Sequence, residues 1–189
     1  MNIYVTPDPT EGVLNQSGLG FFSSISKLRE FAAIVNVSDT SCLTFATQAE
    51  GIPSFWFPIQ ETGAWGYAPF FGAAKVLDQF GKTEPVIIHC HAGVNRSYCV
   101  AYAIMLAEGA DPSKITFEPW HRASSYGSAL FQRNIKRGCI PKDIVEFLKA
   151  RKTYPTYSIL GLLGVINSYS LDECKAGQDE PPAPQGASC

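Results

Sequence analysis

The sequence predicts an α/β fold: a single domain with a central, mostly parallel sheet flanked by helices on both faces. Three observations carry that expectation. Short β-branched runs such as Ile3-Tyr4-Val5 and Val86-Ile87-Ile88 alternate with longer stretches whose apolar residues recur at helical spacing. The short runs are apolar at nearly every position, as suits strands buried on both sides. The chain has 189 residues, 46% of them hydrophobic, enough for one well-packed domain.

Taken in order, Ile3-Tyr4-Val5 is the first strand, closed by Pro7-Asp8-Pro9. Residues 23–31 carry helix formers, with Ser24 or Ser26 as N-cap. Residues 32–37 form a buried strand, and Ser38-Asp39-Thr40-Ser41 supply turn chemistry. Residues 52–59 make an extended aromatic run. Phe70, Phe71, Ala74, Val76, Leu77 and Phe80 predict a helix over 67–80 that Gly81 stops. Trp65 and Tyr67 are expected in the core, where most aromatic area goes. Val86-Ile87-Ile88, bounded by Pro85, is a further buried strand.

Residues 98–106 are apolar on nearly every side and read as a buried helix, ended by Glu108-Gly109-Ala110-Asp111-Pro112. Residues 117–127 read as an irregular loop or insertion held by Trp120 and carrying Arg122 and Tyr126. Pro141 opens an amphipathic helix over 141–150, expected to pack against the helix at 98–106. Residues 159–165 extend the core, and the Pro-, Gly- and Gln-rich stretch 175–189 is expected to be a disordered tail, leaving a domain of 1–174.

Composition narrows the function. A net charge of −2 offers no broad basic field for nucleic acid or an anionic membrane. The longest apolar stretch, 159–166, is too short to span a bilayer, and the N-terminus lacks the cationic, apolar pattern of a signal peptide. Six cysteines are scattered without a disulfide framework, which suits a reduced, cytoplasmic setting. His89 and His91 flank Cys90, but His121 is the remaining histidine and no Cys-x-x-Cys pair exists, so no metal site is expected. Nothing in the pattern speaks to an oligomeric state.

The chemistry concentrates in Cys90-His91-Ala92-Gly93-Val94-Asn95-Arg96-Ser97, between the strand at 86–88 and the helix at 98–106. A strand, a tight loop and a helix N-terminus aim several backbone N–H groups into one small space, which makes an anion site. Cysteine reacts as the thiolate, a form favoured by a helix N-terminus and a nearby cation. Arg96 presents a planar fork for two phosphate oxygens. Ser97 can donate to the sulfur. Together they suit attack on a phosphate ester, a covalent phosphocysteine, then hydrolysis.

His89-Cys90, five residues, then Arg96-Ser97 resembles the signature of the cysteine-dependent protein tyrosine phosphatase superfamily, in its compact dual-specificity branch. The order of elements from about 3 to 148 is similar too. The resemblance implies Cys90 as nucleophile, Arg96 as phosphate ligand and Ser97 as assistant to thiolate release. It implies that the backbone of His91, Ala92, Gly93, Val94, Asn95 and Arg96 cradles the phosphoryl oxygens, and that His89 orients the loop. No metal or organic cofactor is required. The expected partner is a phosphorylated protein.

The leaving oxygen needs a proton, and the family supplies it from an aspartate after a Pro-aliphatic-x pattern upstream of the cysteine. Here Pro58-Ile59-Gln60 leads to Glu61, 29 positions before Cys90, so a glutamate stands in that place. Asp39, after the neighbouring strand, is the reserve acid. No phosphotyrosine-recognition loop is visible, which implies a shallower pocket open to phosphoserine and phosphothreonine as well as phosphotyrosine. The loop has no lysine of the kind phosphoinositide phosphatases carry. Asn95 before Arg96 is similar to RNA 5′-triphosphatases of the same superfamily, so an RNA 5′ end stays as the alternative substrate. A catalytically weak phospho-binding module is the other alternative.

Overall fold

The computed structural model describes residues 3–7, 25–40, 47–48, 50–115, 117 and 124–151. The chain divides into units 1–155 and 156–189, and every described residue lies in the first. The stretch at 159–165, the tail at 175–189 and the boundary at 174 fall outside the described residues, as do Trp120 and Arg122.

Four strands are described: β1 (Ile3–Thr6), β2 (Ala33–Asn36), β3 (Ser54–Trp56) and β4 (Val86–His89). They form one sheet in the order β1-β4-β2-β3, with every pair parallel. β4 is therefore interior, and all four of its residues are buried. The register aligns Thr6, His89 and Asn36 at the C-terminal edge. β3 is shorter than the extended run at 52–59, since Pro53 and Pro58 flank it and proline cannot donate to a ladder.

The helices are α1 (Ala68–Phe80), α2 (Arg96–Ala107), α3 (Ser124–Lys136) and α4 (Ile144–Ala150). The expected helix at 23–31 is a six-residue 3-10 helix, Ile25–Glu30. Leu28 within it and Phe31 just after it bury against Ile34, Ile52 and Ile87, covering one face of the sheet, and Tyr4 packs on the same cluster. α1 and α2 cover the other face. α2 is buried from Arg96 to Ile104 and packs against α1, α3 and α4, which is why its sequence is apolar all round.

Two expectations are corrected. Residues 124–127 are no irregular loop: they open α3, whose buried face is Gly127, Leu130, Phe131 and Asn134. That is helical spacing, masked in the sequence by the serines, Gly127 and Asn134. Tyr67 is not a core residue. Trp65 is 5% exposed and stacks beside Phe70, but Tyr67 is 37% exposed, donating to Asp143 at 2.5 Å and lying on Phe147. The tip of a tyrosine seeks a polar partner, and α4 offers one at the surface.

Candidate active site

In parallel sheets, ligand sites gather beyond the carboxyl ends of the strands, where the βα loops meet. Three loops meet there in this chain, after β4, β2 and β3.

The loop after β4 begins at Cys90, which is 2% exposed, and Ser97 in the first turn of α2 is fully buried. The Cys90 sulfur lies 3.2 Å from the Ser97 hydroxyl. The sulfur thus faces the N-terminus of α2, whose dipole favours negative charge. Gly93 makes the turn possible. Its φ is +64°, and a Cβ there would sit 2.3 Å from the Pro7 nitrogen and 2.5 Å from the Thr6 carbonyl carbon. Only glycine fits both the dihedral and the gap. Among the described residues, none of the backbone N–H groups from His91 to Ser97 has a hydrogen-bond partner. A run of unpaired donors at a helix N-terminus is the chemical requirement for an oxyanion site.

His89 ends β4 at 1% exposure, and its carbonyl accepts from the Val37 N–H at 2.8 Å, which joins the start of this loop to the loop after β2. His91, Ala92 and Val94 are exposed, and Asn95 is half-buried.

Arg96 is 4% exposed. Its Nη1 donates to the Asp39 carboxylate at 3.1 Å and to the Ile59 carbonyl at 2.9 Å. Among the described residues, Nε and Nη2 donate to none, so one edge of the fork is anchored and the other is left for a ligand.

Both anchors are themselves built. Asn36 Oδ1 accepts from the Ser38 N–H at 2.8 Å and the Ser38 hydroxyl at 2.7 Å, while its Nδ2 donates to the Thr40 carbonyl at 2.7 Å. Trp56 Nε1 donates to the Ser38 carbonyl at 2.9 Å, so β3 braces the loop that carries Asp39. Hydrogen bonding to the Arg96 guanidinium holds the Asp39 carboxyl below its ordinary value against a smaller opposing effect of burial, and the His91 imidazole adds a weaker pull in the same direction. Asp39 is thus an ionised partner of Arg96, a role the sequence did not suggest.

Ile59 is fixed from beneath. Phe57, two residues earlier, lies against Gly72 of α1 so closely that a Cβ there would come within 2.5 Å of its ring. Glu61 follows on an exposed stretch, 60–64, between two buried anchors, Ile59 and Trp65. The Trp65 N–H donates to the Cys139 carbonyl at 2.8 Å, and Gly63, at φ +96°, turns the chain between them. Glu61 therefore rides a short, solvated loop whose start Arg96 grips.

Neither a protein-family model nor a curated protein matches the chain. Solved structures do. Tk-PTP in its active form is 19% identical, with 67% of this chain and 84% of that one covered and a TM-score of 0.43. OH1 from Orf virus, a tyrosine phosphatase with triple substrate specificity, is 20% identical, covering 80% and 82% with a TM-score of 0.41. PTPMT1 is 11% identical, covering 90% and 95% with a TM-score of 0.40.

The second cysteine near the loop plays a different part. Cys99, one turn into α2, is 1% exposed, and burial pushes its thiol up to about 12. Asn134 of α3 donates to its sulfur at 3.3 Å and to Asn95 Oδ1 at 3.0 Å. Cys99 is a small packed side chain, unsuited to ionise at neutral pH. Asn95 precedes α2 but does not cap it, since its side chain is engaged by Asn134. Among the described residues, no group of three His, Cys, Asp or Glu side chains could hold a metal ion, and no helix is long and apolar enough to cross a membrane.

Proposed function

We propose that the chain is a cysteine-based phosphatase of the protein tyrosine phosphatase superfamily. It hydrolyses phosphotyrosine and phosphoserine or phosphothreonine in protein substrates through a phosphocysteine intermediate. The observation that carries this reading is the pairing of two groups on one loop: the Cys90 sulfur 3.2 Å from Ser97 Oγ, and Arg96 with one edge of its guanidinium anchored and the other unengaged.

The phosphoryl group enters the loop with its oxygens toward the unpaired N–H groups of His91, Ala92, Gly93, Val94, Asn95 and Arg96 and toward the Nε and Nη2 edge of Arg96. Each donor strengthens as charge builds in the transition state. The Cys90 thiolate attacks phosphorus, and the bond to the leaving oxygen breaks. Glu61 gives that oxygen a proton. Asp39, ionised beside Arg96, has none to give, and its work is to hold the guanidinium. Water then attacks the phosphocysteine while Glu61 takes its proton back. The sulfur leaves as thiolate, with the Ser97 hydroxyl turned to it, and inorganic phosphate departs. His89, closing the interior strand, orients the loop.

The test is release of phosphate from p-nitrophenyl phosphate, phosphotyrosine and phosphothreonine peptides, and a 5′-triphosphorylated RNA, by the wild type and Cys90→Ser. Turnover of the ester and both peptides, lost by at least about a thousandfold in the variant with its fold intact, supports the reading. Activity on the RNA alone moves the substrate to the nucleic-acid alternative. Equal activity of the variant removes the covalent mechanism.

A further inference from the structure

Helix α3 touches the loop at two consecutive residues. The Tyr126 hydroxyl donates to the Val94 carbonyl at 3.1 Å, and Asn134 Nδ2 donates to Asn95 Oδ1 at 3.0 Å. Residues 126, 130 and 134 share one face of a helix. Leu130 and Asn134 are buried on that face, and Tyr126 stands at the rim, 38% exposed. Its ring is set edge-on against Tyr98 of α2, with centroids 5.8 Å apart and planes at 84°. The position of the hydroxyl is therefore determined by packing.

The Val94 carbonyl and the Asn95 N–H belong to one planar, trans peptide unit and point in opposite directions. A hydroxyl that fixes the carbonyl also fixes where that N–H points. The Asn95 N–H has no partner among the described residues. Asn95 adopts φ −132°, ψ −79°, a sparsely populated region that something outside the residue must hold. Its side chain does not cap α2, and Asn134 engages it instead.

We propose that Tyr126 is a positioning residue for phosphate binding. It locks the Val94–Asn95 peptide with the Asn95 N–H turned toward the bound phosphoryl group, and Asn134 secures the same residue through its side chain. This rests on the phosphatase reading of the loop. Without the hydroxyl the peptide is free to rotate, and a carbonyl oxygen facing an anion repels what the N–H would bind.

Tyr126→Phe removes the hydroxyl and keeps the ring. Four quantities are measured on wild type and variant: the Kd for inorganic phosphate by calorimetry, KM and kcat on p-nitrophenyl phosphate, the thermal midpoint, and the Asn95 amide proton resonance as phosphate is added. Phosphate Kd and KM are expected to rise together by about three- to tenfold, the loss of one hydrogen bond. The thermal midpoint stays near that of the wild type. The Asn95 amide moves downfield with phosphate in the wild type and much less in the variant, a response that a merely structural role would not alter. A variant that binds phosphate like the wild type, with the same Asn95 shift, overturns the proposal and leaves the phosphatase reading standing. A wild type that neither binds phosphate nor turns over the ester overturns both.

Discussion

Asp39 and Arg96 are 57 residues apart in sequence and joined by a 3.1 Å ion pair at the C-terminal edge of the sheet. The arginine is 5% exposed at its side chain and the carboxylate 52%. The pair orders the buried partner more than it stabilises the molecule, since half-exposed carboxylates gain little from pairing in high dielectric. Asp39→Asn keeps an oxygen in the same place and is expected to retain most ester turnover. Asp39→Ala removes the acceptor and is expected to raise KM by about three- to tenfold.

The same pair gives a pH dependence with a definite sign. Arg96 holds the folded Asp39 carboxyl below the unfolded value of 3.8. Its contribution to stability is complete above 3.8 and disappears as pH falls through the lower folded value. Urea unfolding of wild type and Asp39→Asn at several pH values is expected to show a small gap at neutral pH that closes in acid. A gap that widens in acid contradicts the assignment.

Glu61 is tested by leaving group. Glu61→Gln is expected to lose about a hundredfold on an unactivated alkyl phosphate and less than about threefold on p-nitrophenyl phosphate, whose leaving group needs no proton. Equal losses on the two esters exclude it as the acid.

Gly93→Ala brings a Cβ to 2.3 Å from the Pro7 nitrogen at a backbone φ of +64°. Backbone cannot yield as a flexible side chain can, so the loop or the end of β1 must move. A loss of at least about 2 kcal/mol in urea unfolding is expected, with phosphate binding lost in whatever remains folded.

Arg151 is fully buried at the end of α4 and meets Asp78 of α1 through two bonds of 2.9 and 3.1 Å, the Leu148 carbonyl at 2.8 Å, and Glu108 at the end of α2. One guanidinium ties three helices. Arg151→Ala leaves two carboxylates near each other without their cation. A cost of about 3 kcal/mol is expected from urea unfolding, the low end for breaking a buried pair because both acids keep some solvent.

Much of the fold was legible in local pattern. The strands at 3–6, 33–36 and 86–89 and the helices at 68–80 and 96–107 follow from apolar runs and helical spacing, because burial on a given face imposes a period on the chain itself. The helix at 124–136 was missed because its buried face includes Gly127 and Asn134, which carry no apolar signal.

By itself, the sequence determined the loop from Cys90 to Ser97 and its place between a buried strand and a buried helix, since reaction chemistry and backbone geometry both demand particular residues at fixed local spacing. The tertiary structure decided the partners: Asp39 and Ile59 on Arg96, Tyr126 on Val94, Asn134 on Asn95. Those contacts join segments 32 to 57 residues apart, and no local periodicity encodes them. The Asp39 and Ile59 contacts arise because a parallel sheet brings the ends of distant strands to one edge, and those of Tyr126 and Asn134 arise because α3 packs along α2 beside the loop.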